Sequence, residues 1–277
     1  MRRFVFFTDL DHCLPAQGGS LTDHGRSALD ALKSFHIPVV LLSGKTRAEI
    51  EPLRERLRHT DPFIVENGAA VFIPPQTFDF PLERSRRRAA YDVIELGTPY
   101  AMLRDVLKQI EDAVNTPLHG FGDLSLDDIM RATGLSRQEA LRAKLREYDE
   151  PFLMNGPASL LEEIRRQIAA RGLRCTRGER FFHLTGGNDA SRAADILLRC
   201  YRRKWQGLDR AADVETVVIG DSMSHLPLRA NADRLVLLQK PDGSYDTDGD
   251  RPDCIRAPGI ECAGWSEAVL DLLQNAA

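Results

Sequence analysis

The sequence predicts an α/β fold: a Rossmann-like parallel-sheet core interrupted by an inserted α/β domain. Three observations carry this expectation. Apolar runs of strand length alternate with stretches of helical periodicity from the N-terminus to about residue 68. The pattern then changes for roughly 100 residues, a normal domain size, before the first cadence resumes. Several of the apolar runs end in Asp or Ser, as strands do where a parallel sheet binds its ligand. The expected division is a core of residues 1–82 and 185–277 with an insertion at 83–184.

The first run, Phe4-Val5-Phe6-Phe7, reads as a strand buried on both faces, yet it passes into Thr8-Asp9-Leu10-Asp11. Asp9 and Asp11 are two residues apart, which puts both side chains on one side of an extended chain. A helix is expected over 23–35, with Ala28, Leu29 and Leu32 on one face. The next strand, 37–42, ends in Ser43-Gly44-Lys45-Thr46 and is followed by a helix over 47–59. A short strand at 63–65 leads into Glu66-Asn67-Gly68-Ala69. Strand and helix alternating in this way imply right-handed crossovers and a parallel sheet. Asp9, Asp11 and Ser43 fall at its C-terminal edge.

Leu82 to Arg88 reads as an arginine-rich, solvated connector. The insertion then offers a half-exposed strand at 91–96 and helices at 100–115, 125–133 and 136–146, with Ser125 and Ser136 as caps. A strand at 151–154, a helix at 158–170 and a strand at 181–184 complete it. After Gly186-Gly187-Asn188-Asp189 come a helix at 193–205, a strand at 214–221 ending in Asp221, a strand at 234–238 and a closing helix at 266–273.

Composition narrows the function. With 43% hydrophobic and 28% charged residues and a net charge of -4, the chain is an ordinary soluble globular type, without the basic surface that nucleic acid requires. No apolar stretch approaches the roughly 20 residues of a membrane helix, and the N-terminus has no signal-peptide pattern. The five cysteines are widely spaced and form no C-x-x-C, as free thiols in a reducing cytoplasm would be. A cytoplasmic protein with a small-molecule partner is expected.

Asp9, Asp11, Ser43 and Asp221 thus share one sheet edge. Clustered carboxylates raise each other's pKa unless a cation sits among them, and hard oxygen ligands suit Mg²⁺. An Asp beside such a metal is able to attack phosphorus. A second acid two residues on is able to protonate the leaving oxygen and then deprotonate water. Ser43, at the mouth of a helix, offers a hydroxyl and neighbouring N–H groups to a phosphate.

Thr8-Asp9-Leu10-Asp11, Leu42 to Thr46, Glu66-Asn67-Gly68-Ala69 and Gly220-Asp221-Ser222 resemble, in order, the motifs of the haloacid-dehalogenase superfamily. The insertion lies where its α/β-capped branch carries a cap. Gly122-Asp123-Leu124, Thr133 to Ser136, Arg146 to Glu150 and Gly178 to His183 resemble the cap of the mannosyl-3-phosphoglycerate phosphatase family. The resemblance implies a Mg²⁺-dependent phosphatase of a sugar-linked phosphoglycerate, with Asp9 as nucleophile and Asp11 as general acid/base. Asp9, the Asp11 carbonyl and Asp221 would hold the metal; Ser43, Gly44 and Lys45 would bind phosphate. Arg180 and His183, on a cap strand, with Glu147 and Asp149, would contact the glycerate or sugar.

The chain departs from the pattern in three places. Motif I continues with His12 and Cys13 in place of Gly-Thr; Ala190 stands where the resembling families carry a phosphate-binding Lys; and His225 replaces the second acid of the metal motif. Imidazole at position 225 would favour a softer metal than Mg²⁺. Arg192 is a candidate replacement for the missing Lys. Two functions are consistent with these changes: a phosphohydrolase altered at its motifs, or a silent scaffold that binds a phosphorylated ligand or protein partner.

Overall fold

The computed structural model describes residues 2–14, 23–178, 180–208, 213–222, 232–246 and 254–275. The chain begins with β1 (Arg2–Asp9), the short helix α1 (Leu10–Cys13), α2 (Asp23–Ser34), β2 (Val39–Leu42), α3 (Arg47–Leu57), β3 (Phe63–Val65) and β4 (Ala70–Ile73). A hairpin of β5 (Ser85–Arg88) and β6 (Tyr91–Glu95) follows. The inserted unit contains α4 (Tyr100–Val114), β7 (Leu118–Gly120), α5 (Leu126–Thr133), α6 (Arg137–Ala143), β8 (Asp149–Met154), α7 (Ala158–Ala169), β9 (Arg174–Arg177) and β10 (Phe182–Thr185). The chain returns through α8 (Ala190–Leu208), β11 (Asp213–Gly220), β12 (Arg234–Gln239), β13 (Cys254–Ile260) and α9 (Glu261–Gln274).

Two sheets result among the described residues. One runs β13-β12-β11-β1-β2-β3-β4-β6-β5; the other, in the inserted unit, runs β7-β8-β10-β9. From β13 to β3 every pairing is parallel, whereas β4, β6 and β5 add on antiparallel. Helices cover both faces of the parallel part, so the middle of β1, Val5-Phe6-Phe7, is apolar and buried. Phe6 packs toward α2 and α9, while Val5 and Phe7 pack under α8. The apolar stripe of α8, from Ala193 through Leu197 and Tyr201 to Trp205, recurs at helical spacing. A parallel-rich α/β core with an α/β insertion is therefore the fold, as expected from the sequence.

The expected start of the insertion needs correction. Residues 85–95 were assigned to it, but their hairpin hydrogen-bonds to β4 and extends the core sheet. The arginine run is no connector either: Ser85–Arg88 is an edge strand, and charged side chains on an edge strand discourage pairing with another chain. We propose 96–99 and 185–188 as the crossings between the units. Strands β4, β7, β9 and β13 were not anticipated; β7 and β9 have only three or four residues, too few to show a period. Among the described residues no helix is long and apolar enough to cross a membrane.

Candidate active site

Parallel pairing brings the acids together. In the β1–β11 register Thr8 lies beside Ile219, so Asp9 and Asp221 emerge from adjacent strands at the same edge. Asp9 caps α1: its Oδ1 accepts the Asp11 N–H at 2.7 Å, which turns the chain so that Asp11 faces the next strand. There the Ser43 hydroxyl donates to Asp11 Oδ2 at 2.6 Å, and the Lys45 ammonium binds Asp11 Oδ1. Ser43 Oγ also accepts the Lys45 N–H at 2.9 Å, which fixes the loop after β2. Burial alone would lower the Lys45 pKa, but Asp11, with Glu49 and Asp9, raises it, so the ammonium stays charged.

A second loop braces the first. Glu66, Asn67 and Gly68 all have positive φ, a tight left-handed run at the end of β3. It lets the Glu66 N–H donate to Lys45 O and the Asn67 N–H to Ser43 O, each at 3.1 Å. The Glu66 carboxylate, wholly buried, points the other way. It accepts the N–H groups of Glu147 and Tyr148 from the inserted unit, each at 2.9 Å. Burial pushes its pKa up to about 7, against the pull of Arg146 and the two N–H donors. Asn188 Nδ2 donates to Glu66 O at 2.9 Å and to Tyr148 O at 3.2 Å, tying the return crossing to the same point.

The inserted unit also reaches the phosphate-type loop directly. Thr46, which caps α3 in a reciprocal box with Glu49, donates its hydroxyl to Arg142 O at 3.0 Å. Arg146 donates to Gly44 O at 2.9 Å and to Asp149 Oδ2 at 3.3 Å, and His183 Nδ1 meets the same Asp149 oxygen at 2.8 Å. His183 is thus linked to the Gly44 loop through two buried groups. Sequence reasoning gave no role to Glu66, Arg146 or Asn188. The consecutive Glu-Asn-Gly was the available signal for Glu66, because Asn and Gly tolerate positive φ.

The other expected residues are placed as follows. Arg180 is not on a strand: it precedes β10, is exposed, and donates to Ala132 O at 2.8 Å. Its neighbour Phe181 turns inward, edge-on to Phe121 at 5.0 Å, which leaves Arg180 facing outward. Glu147 is held by Arg47 and Arg88 at 3.1 and 2.6 Å. Ala190 opens α8, with Gly68 packed against its backbone. Arg192 lines a cavity among α8, β6 and residues 80–84, whose lining includes none of Asp9, Asp11, Ser43 or Asp221. Cys13 is buried; desolvation and then the charges of Asp9, Asp221 and Asp11 push its thiol well up, so it stays protonated. His225 lies outside the described residues.

Among the described residues no group of three His, Cys, Asp or Glu side chains is placed to hold a metal alone. Mg²⁺ does not need one: it takes one or two carboxylates and keeps waters or phosphate oxygens for the rest. Asp9 and Asp221 at neighbouring strand ends are such a pair of hard donors, and the donor set fits Mg²⁺.

Comparison with known proteins identifies the family. The family model of haloacid dehalogenase-like hydrolases matches residues 6–85. The glucosyl-3-phosphoglycerate/mannosyl-3-phosphoglycerate phosphatase of Methanococcoides burtonii is 38% identical over 271 residues, 98% of this chain and 97% of that protein. The mannosyl-3-phosphoglycerate phosphatase of Pyrococcus horikoshii is 31% identical, over 84% of this chain and 90% of its own. A haloacid dehalogenase-like hydrolase structure from Bacteroides thetaiotaomicron superposes with a TM-score of 0.65 at 16% identity, covering 98% of this chain and 99% of that one, and so shares the fold. The chain belongs to the haloacid dehalogenase-like hydrolases and, among them, to the phosphatases.

Proposed function

We propose that the protein hydrolyses a phosphate monoester on a glycosyl-glycerate, of the glucosyl- or mannosyl-3-phosphoglycerate type, through an aspartyl-phosphate on Asp9. The observation that carries this is the Asp9–Asp11–Ser43–Lys45 cluster, in which one acid is oriented by a hydroxyl and an ammonium beside a second acid. The relatives' names and the near full-length match supply the substrate class.

Asp9, the Asp11 carbonyl and Asp221 would hold Mg²⁺. When bound, the metal offsets negative charge on the carboxylates and the phosphoryl group. Ser43 and the Gly44 N–H bind phosphate oxygens, and Lys45 moves from Asp11 to the phosphoryl group. That move frees Asp11 to carry a proton, which its ion pair with Lys45 disfavours. Asp9 then forms a bond to phosphorus as the ester P–O bond breaks, and Asp11 gives its proton to the leaving glycerate oxygen. In the second step Asp11 takes a proton from water. The water oxygen bonds to phosphorus, the Asp9–phosphorus bond breaks, and inorganic phosphate leaves.

Phosphate release from both glycosyl-phosphoglycerates with Mg²⁺, Mn²⁺, Co²⁺ and Zn²⁺, alongside Asp9→Asn, tests the proposal. Metal-dependent turnover that vanishes in the variant supports it. Absence of turnover with every metal, while substrate still binds, would establish the silent scaffold that Ala190 and His225 suggest.

A further inference from the structure

A cavity of about 500 Å³ lies among α8, the end of β6 and residues 80–84, and none of Asp9, Asp11, Ser43 or Asp221 lines it. Its walls divide by chemistry. Phe80, Leu82, Ile94, Leu96 and Ile196 give an apolar floor. Arg192, Arg199 and Arg203 lie along one stripe of α8, at spacings of seven and four residues, and Arg84 faces the same space from the other side.

The guanidinia outnumber their partners. Of the two carboxylates in the lining, Glu83 and Glu95, the latter already accepts the Tyr148 hydroxyl at 2.5 Å and Arg88 at 3.0 Å. Arg199 pairs with Asp195 at 2.9 Å, and Arg203 lies over the Phe80 ring at 4.1 Å. Among the described residues Arg84 and Arg192 form no ion pair. A cavity of this volume is within the range of small-molecule sites, which combine apolar walls with a few placed polar groups. Guanidinium forks suit a planar or tetrahedral oxyanion.

We propose that this cavity is a second binding site, separate from the Asp9–Ser43 cleft, for a small organic anion with an apolar body. Its anionic group would be held by Arg84 and Arg192, and its body would lie on Leu82, Leu96 and Ile196. The probe that tests this is 1-anilinonaphthalene-8-sulfonate, an aromatic body with one sulfonate. It is titrated by fluorescence into the full chain with orthovanadate present to fill the phosphate cleft. The expected result is one saturable site whose Kd rises at least tenfold in Arg84→Glu/Arg192→Glu. Both positions are exposed, so far-UV circular dichroism and Tm should be unchanged. Half-buried Cys200, in the lining, gives a readout that needs no variant: bound probe should slow its alkylation by iodoacetamide, resolved by mass spectrometry, while Cys175 in the inserted unit keeps its rate. Displacement of the probe by orthovanadate, a change below tenfold in the variant, or an unprotected Cys200 would each overturn the assignment.

Discussion

The carboxylate of Glu66 accepts the backbone N–H of Tyr148 at 2.9 Å across 82 positions of sequence, and so joins the end of a core strand to the inserted unit. The same group has its pKa raised by burial from about 4.5 to about 7. The folded state therefore binds a proton where the unfolded chain has released it. This contribution to stability is complete below about pH 4.5 and is lost as pH rises through about 7. Glu66→Gln keeps a neutral side chain throughout, at the cost of one N–H bond that does not vary with pH. Urea unfolding at pH 5 and pH 7.5 should show the natural protein losing about 2 kcal/mol relative to the variant over that window. Parallel pH slopes for the two would refute the claim.

Gly68 and Gly134 separate crowding from backbone strain. Both have left-handed φ, +91° and +77°. A Cβ on Gly68 would lie 2.2 Å from the Ala190 backbone nitrogen, whereas one on Gly134 meets nothing within 4 Å. Gly134→Ala should cost about 1–2 kcal/mol, the left-handed penalty alone. Gly68→Ala must also push the start of α8 from the Glu66 loop, so a loss of about 3 kcal/mol or more is expected. Thermal or urea unfolding gives both numbers, and equal losses would show that the Gly68–Ala190 packing does not matter.

Lys45 and Arg192 are the two cations that could serve the phosphoryl group in place of a Lys at Ala190. Only Lys45 stands at the acids, bound to Asp11; Arg192 faces the cavity beside β6. Lys45→Ala should lower kcat by about 10²–10³, as loss of a preorganised donor does, with Arg192→Ala within about twofold of the natural protein. Initial rates of phosphate release decide it: a large loss in Arg192→Ala would mean that the helix swings in during turnover.

The order of strands and the acids at their ends were legible because buried strands advertise themselves by composition, and Asp9, Asp11, Ser43 and Asp221 all lie at or just beyond the end of one. The hairpin 85–95 was misassigned because its arginines read as solvent-exposed charge; only the antiparallel partner β4, itself unanticipated, shows that they form a sheet edge. Arg180 and His183 were expected together on one cap strand, but only His183 lies in β10. Arg180 lies before β10, next to the inward-turned Phe181, and donates to a helix carbonyl, while His183 on β10 meets a buried Asp. Contacts between distant segments, such as Glu66 to Tyr148, have no local period and leave no trace in a single sequence.

Arg146 and Asp149 form a further link between the inserted unit and the Ser43 loop. The Arg146 side chain is 9% exposed and the Asp149 side chain 0%; Asp149 Oδ1 has no hydrogen-bond partner among the described residues. Removing the arginine alone leaves a buried carboxylate with His183 as its remaining side-chain partner and deprives Gly44 O of its donor. Breaking such a pair typically costs about 3–5 kcal/mol, whereas replacing both members with neutral groups of similar volume is often near neutral. Arg146→Met should therefore be strongly destabilising, and Arg146→Met/Asp149→Asn should recover most of the loss while keeping an acceptor for His183. Because Gly44 O stays unpaired in both, both should raise KM for the phosphate ester by a similar factor. A double variant no more stable than Arg146→Met would show that the arginine stabilises the fold through its packing and its bond to Gly44, with charge pairing secondary.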